Sequence, residues 1–146
     1  MSQPNITIRF DPPAEFYEPV KKGLWDHTES HVGSITRKTV AMLSHDTEGQ
    51  VIGGIVGWMH MGWLYVDMLW VEEAHRRKGL GTKLLRCAEG VALEHGIRRV
   101  HLVTSTWQAL DFYKKNDYRV FAELDITLDN APAQKEHINY FLRKDL

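Results

Sequence analysis

The chain is poor in cysteine, in net charge and in long apolar runs. Cys87 is alone among the 146 residues, so no disulfide can form within the chain, and a reducing compartment is implied. The formal net charge is -1. A dedicated nucleic-acid binder is more basic, so no nucleic-acid partner is expected. No apolar run reaches the roughly 18 residues of a membrane span, and the polar first residues do not read as a signal peptide. The expectation is a cytoplasmic protein with no membrane partner. Low-complexity tracts and internal repeats are missing too. What is present is globular: 43% hydrophobic and 25% charged residues, in a length that suits one domain over 1–146.

Periodicity and punctuation give the elements. Asn5–Phe10 alternates as a first strand would, and Pro12 and Pro13 stop it. Ala14–His31 reads as helix, in two pieces because Pro19 and Gly23 interrupt it. Ile35–His45 is extended, and Asp46–Gln50 is a turn. Val51–Met61 and Trp63–Val71 are β-rich runs around Gly62. Gly79–His95 carries the clearest helical stripe, Leu80, Leu84, Ala88, Val91 and Ala92, closed by Gly96. Arg98–Thr106 reads as strand, Trp107–Asn116 as a short helix, and Tyr118–Ile126 and His137–Leu142 as strands joined by the loop 127–136. The order β-α-β-β-β-α-β-α-β-β predicts an α/β (α+β) fold, a mixed sheet with helices packed on it.

The stretch HRRKGLGTKLL, residues 75–85, concentrates cations and glycines ahead of an amphipathic helix. N–H groups at a helix start lack intrahelical partners, and the macrodipole adds partial positive charge there. Gly79 and Gly81 let phosphate oxygens approach those amides, while Arg76, Arg77 and Lys78 add charge. The reading is an anion cradle; the plainer alternative is a capped helix with solvated charges. It is not a P-loop, since GxxxxGK[ST] is absent. Nor is it a dinucleotide fingerprint, because Leu84 stands where the third glycine would.

The pattern Arg76-x-x-Gly79-x-Gly81 after a strand ending in Leu69, Trp70 and Val71 resembles the acyl-CoA-binding motif of the GCN5-related N-acetyltransferase (GNAT) superfamily. Ala109–Tyr118 is similar to that family's second signature, with Asp117 in place of the usual Gly, Tyr118 in place of Phe, and Thr106 where an Asn that contacts the cofactor is common. The resemblance covers about residues 5 to 143. It implies a splayed sheet with helices on both faces and acetyl-CoA as cosubstrate. The pantetheine arm would lie along Leu69, Trp70 and Val71, with the pyrophosphate on N–H groups of residues 76–82, Leu80 and Thr82 included, and with Thr106 nearby. An N–H near Leu69 would serve as oxyanion donor.

The implied reaction is direct attack of an amine on the thioester in a ternary complex. Tyr113 occupies the family's general-acid position, its plainer role being helix–sheet packing. Asp67 stands where many members carry a base; an aspartate is intrinsically acidic, near pKa 3.9, and its plainer role is a polar residue at a strand bulge. Trp25 and His27 are expected to line the acceptor pocket. His27 and His31 lack the HExxH spacing, so no metal is expected. The remaining tryptophans are expected mostly in the core, and Gly53-Gly54 suggests a bulge or close backbone approach. Cys87 is expected to be inert. The function expected is N-acetylation of a primary amine, of a small molecule in preference to a protein. A catalytically silent acyl-CoA-binding module on the same fold is the alternative, and Tyr113 together with Asp67 favours the enzyme. A homodimer is left open.

Overall fold

The computed structural model describes residues 4–129 and 136–146. It divides into two compact units, Met1–Ile35 and Thr36–Leu146. The first unit holds one helix, α1 (Ala14–Val32). The two pieces expected there are one, running through Pro19 and Gly23. None of its residues is buried, so Pro19 costs one backbone hydrogen bond without disturbing any packing. Asn5–Phe10 is not a strand: apolar alternation alone does not make a ladder. The middle of the loop expected at 127–136 lies outside the described residues.

The second unit runs β1 (Lys38–His45), β2 (Val51–His60), β3 (Trp63–Val71), α2 (Leu80–Glu94), β4 (Arg99–Ser105), α3 (Leu110–Lys115), β5 (Arg119–Ile126) and β6 (His137–Asp145). One six-stranded sheet has the order β1-β2-β3-β4-β6-β5. Every neighbouring pair is antiparallel except β3 and β4. The fold class is the one expected, a mixed, splayed sheet flanked by helices. Asp46 closes the β1–β2 turn by accepting from the Glu48 and Gln50 amides, at 2.9 and 2.8 Å. Met61 and Gly62, with φ of 49° and 78°, make the tight β2–β3 turn, whose two left-handed residues match the twist of the flanking strands.

The core lies between the sheet and α2. Leu64, Val66, Val100, Leu102 and Leu142 from the strands meet Leu84, Leu85, Ala88 and Ala92 from α2. The expected stripe is therefore the buried one, with Leu80 and Val91 at its edges. Cys87 falls outside it and is exposed. Glu89 is buried within it. Its carboxylate accepts from Lys144 Nζ at 2.9 Å, Tyr118 Oη at 3.1 Å and Arg86 Nη1 at 3.0 Å. An unpaired carboxylate there would be very costly; three donors satisfy it and tie α2 to β6 and to the end of α3.

None of the five tryptophans is fully buried. Trp58 and Trp63 join Tyr65 and His101 in an aromatic strip on the sheet, and Trp70 and Trp107 are about half exposed. Gly53-Gly54 is a place of close approach: a Cβ on Gly53 would sit 3.1 Å from the Trp70 carbonyl, and one on Gly54 2.9 Å from that of Met42. The neighbouring register shift lies further along, at Val56/Gly57.

Candidate active site

Strands β3 and β4 part company early. Their parallel pairing covers only Leu64–Val66 against Val100–Leu102. Beyond it β3 stays with β2 as far as Val71, while β4 stays with β6 as far as Ser105. The resulting gap is the mouth of a cavity of about 730 Å³, lined by β3, by the loop before α2, by the first turn of α2 and by the segment 107–113.

A bulge prepares the β3 wall. Val56 pairs with Met68 and Gly57 with Val66, so Asp67 is the extra residue. A Cβ on Gly57 would collide with the Tyr65 carbonyl, which leaves glycine as the residue that fits opposite. The extra residue flips side-chain parity. Leu64 and Val66 face the core before it; Leu69 and Val71 take that side after it and line the cavity. Backbone groups follow the same logic. The Glu72 amide donates to Ile52 O at 2.9 Å, so Val71 opposite Gly53 and Leu69 opposite Ile55 are non-hydrogen-bonded pairs. Their N–H and C=O groups therefore turn away from β2, into the gap. Trp70, between them, spends its backbone on Gly54 and offers the cavity its half-exposed ring.

The cationic loop closes the far end. Helix α2 has no side-chain cap and no acidic residue in its first turn. Its first bond runs from the Lys83 amide to Gly79 O, so the amides of Leu80, Gly81 and Thr82 have no intrahelical acceptor. Gly79 has φ 83° and Arg77 φ 60°; the left-handed region favours glycine, and a non-glycine residue held there stores about 1 kcal/mol or more of strain. Gly81 has another reason to be glycine, since a Cβ would stand 3.3 Å from the Phe112 ring. Arg76 donates through Nε to Val71 O at 2.8 Å, and Lys78 through Nζ to Ala74 O at 2.9 Å. Arg77 has no side-chain hydrogen bond among the described residues and lines the cavity.

Of the residues expected at the site, the cavity wall includes Leu69, Trp70, Val71, Arg76, Arg77, Gly79, Gly81, Thr82 and Tyr113. Leu80 packs against the core instead, and Lys78 is engaged within its own loop. Thr106 borders an adjoining cavity of about 600 Å³, and its hydroxyl both donates to Ile138 O and accepts from Ile138 N. Asp67 is exposed at the bulge and lies outside the wall. Trp25 and His27 belong to α1, in the Met1–Ile35 unit. Trp107, Gln108 and Phe112 line the cavity without having been singled out for it; the contact between Phe112 and Gly81 is a feature no local pattern announces.

Tyr113 presents a phenol that burial pushes up to about 12. Its ring meets Phe112 and Tyr118 edge-on, with centroids 5.1 and 5.9 Å apart. Tyr65, behind Asp67, is likewise raised, first by burial and then by the Asp67 charge. Among the described residues no group of three His, Cys, Asp or Glu side chains is placed to hold a metal, and no helix is long and apolar enough to cross a membrane.

The comparisons agree with this geometry. A family model described as "Acetyltransferase (GNAT) family" matches residues 8–118. Blasticidin-S acetyltransferase of Streptomyces morookaense is 36% identical over 91 residues, 62% of this chain; the match spans 65% of that protein, just under two thirds. A crystal structure from Agrobacterium tumefaciens, assigned as an acetyltransferase, superposes with TM-score 0.82 at 25% identity over 97% of this chain and 99% of that one. A protein from Bacillus anthracis str. Ames, assigned as a streptothricin acetyltransferase and solved with acetyl coenzyme A, shares the fold with TM-score 0.65 at 18% identity over 75% of this chain and 63% of its own. With both motifs on the elements that the family model spans, and with the splayed strands between them, the chain belongs to the acetyltransferase (GNAT) family, whose acyl donor is acetyl-CoA.

Proposed function

We propose that the protein transfers the acetyl group of acetyl-CoA to a primary amine of a small molecule, by direct attack in a ternary complex. The observation that carries this reading is one cavity: uncapped helix amides and Arg77 at its far end, outward-turned backbone groups of Leu69 and Val71 along its side, of which Val71 O is held by Arg76, and a neutral phenol in its wall. The residues fit the donor by chemistry. Pyrophosphate suits the α2 amides and the Arg76 and Arg77 guanidinia. Amide groups of an extended arm suit the β3 edge, with the Leu69 N–H as oxyanion donor. The small-molecule preference draws on the blasticidin-acetylating relative. Thr106 borders the adjoining cavity in this reading.

In the transfer an N–C bond forms, the C–S bond breaks, the amine gives up a proton and the sulfur ends as a thiol. An ammonium cannot attack, so Asp67, at the edge where the strands part, first passes the extra proton of an ammonium acceptor to solvent, directly or through water, and the second proton leaves the nitrogen as the amide forms. Burial keeps the Tyr113 phenol protonated, so in this reading it serves the departing thiolate as general acid or hydrogen-bond donor. The attacking nitrogen restores its proton, so that the thiol proton derives from the amine.

Thiol release from acetyl-CoA, followed across a panel of amines, amino acids, aminonucleosides and peptides, tests the reading, with Asp67→Asn measured beside the wild type. A small-molecule amine is expected to be acetylated. The variant is expected to lose kcat/KM at neutral pH and to converge on wild type above roughly pH 9, where solvent supplies free amine. A constant deficit at every pH makes Asp67 a positioning residue. Acetyl-CoA binding without turnover on any amine establishes the silent module, and turnover on peptides alone moves the acceptor to proteins.

A further inference from the structure

The place where this chain departs from its family's pattern is informative. Thr106 stands where an Asn that contacts the cofactor is common, yet the one donor of the Thr106 hydroxyl is already spent: it donates to Ile138 O at 3.2 Å, while its oxygen accepts from Ile138 N at 2.7 Å. These bonds tie the end of β4 to the start of β6 and leave Thr106 no donor for a ligand. Two residues on, Gln108 borders both cavities. Its Oε1 accepts from the Ser105 amide at 2.9 Å and from Thr104 Oγ1 at 3.3 Å. The Ser105 N–H can only donate, so the oxygen of the amide is fixed on that side. The Thr104 hydroxyl is committed too, because it accepts from the Ala109 amide at 3.3 Å. Gln108 Nε2 is therefore held in a set orientation with two N–H donors, and it has no partner among the described residues.

We infer that Gln108, not Thr106, supplies the side-chain amide that hydrogen-bonds a carbonyl of the pantetheine arm. The inference rests on the acyl-transfer reading above. The site is built for the task in two ways. Oxygen-side anchoring removes the rotamer freedom that a glutamine would otherwise lose on binding. A primary amide also matches a carbonyl acceptor, where a hydroxyl already shared with backbone does not. Thr106 then acts on the ligand only through the β4–β6 junction.

Gln108→Glu tests this, because it keeps the oxygen that accepts from Ser105 and replaces the two donors with a second oxygen. Calorimetry with acetyl-CoA is compared with ADP, which shares the pyrophosphate and lacks the arm. Acetyl-CoA affinity is expected to fall at least tenfold and ADP affinity to change less than threefold. On the wild-type protein, the Gln108 side-chain amide resonances are expected to shift with acetyl-CoA and stay in place with ADP, a measurement that needs no variant to fold. Equal weakening of both ligands would be a long-range charge effect and would overturn the assignment, as would unmoved amide resonances. Wild type that binds no acetyl-CoA defeats the acyl-transfer reading itself; wild type that binds it, with Gln108→Glu binding equally well, defeats only the role of Gln108.

Discussion

The two halves of α2 treat charge in opposite ways. In its later turns Glu89 is buried and answered by Lys144, Arg86 and the Tyr118 hydroxyl, with Lys144 also 5.5 Å from the Tyr118 ring centroid. At its start, amides are left uncapped and Arg77 has no hydrogen bond among the described residues, although its backbone is held at φ 60°. The first arrangement is closed: each donor has its acceptor, and the network holds the fold. The second is open: nothing among the described residues completes its donors, and that openness is the ground for the proposed ligand role. Charged residues alike in sequence divide into structural and functional groups according to whether the chain itself completes them.

Breaking the closed half has the largest expected effect. Lys144→Met leaves Glu89 buried without its buried cation and should cost about 3–5 kcal/mol by urea denaturation. Adding Glu89→Leu should recover most of that loss, since an apolar pair can replace a buried ionic one. A single variant as stable as wild type would mean that Arg86 and Tyr118 suffice for the carboxylate.

Tyr113 lies where the halves meet, packed on Tyr118 and lining the cavity. Tyr113→Phe should lower kcat about 10–100-fold, the worth of one hydrogen bond to a charged group, and leave the KM for acetyl-CoA nearly unchanged. Full activity would return Tyr113 to packing alone. The same phenol shapes alkaline stability. The unfolded chain ionises it near 10 and the folded chain at about 12, so its contribution is fully present below pH 10 and is lost as pH rises through 12. Between those values the wild type should lose stability faster than Tyr113→Phe, by up to roughly 1.4 kcal/mol per pH unit.

Opening the comparison from the other side, Arg77→Gly removes strain and charge together. Stability should rise by about 1 kcal/mol. Acetyl-CoA affinity should drop about tenfold and become less sensitive to salt. Stability and affinity falling together would place Arg77 with the closed group. The smallest effect belongs to Asp117, which sits at φ 70° after α3, where the family signature has glycine. Asp117→Gly should relieve that backbone while losing the 3.4 Å contact with Arg86, an exposed pair worth 0–1 kcal/mol at most, by the usual range. The net change in melting temperature should be within about 3 °C, and a large fall would reveal a stronger tie to Arg86.

The sequence was legible where one local pattern matched one environment. The stripe of α2, the Asp46 turn and the Gly79–Gly81 loop are each written in adjacent residues, and each stands where it was expected. Legibility failed where the partner is distant. Asn5–Phe10 carries a strand's alternation and forms no strand, because ladders are made by neighbours and not by period. Glu89 looks like an ordinary polar helix position until Lys144, 55 residues away, is placed beside it. Gln108 draws no attention until the Ser105 amide fixes its orientation, and the two bonds between the Thr106 hydroxyl and Ile138 are equally hidden from any local pattern.

The extra residue at Asp67 divides β3 into two independently answerable halves. Upstream of it, even-numbered side chains are constrained by the core; downstream, odd-numbered ones are constrained by whatever enters the gap. Substitution at Leu69 and Val71 therefore changes the cavity wall, while Leu64 and Val66 keep their own places in the core. Deleting Asp67 would leave Val66 opposite Gly57 and Met68 opposite Val56 in unbroken alternation, keeping Leu69 and Val71 on the wall while removing the local bend that the extra residue puts into β3.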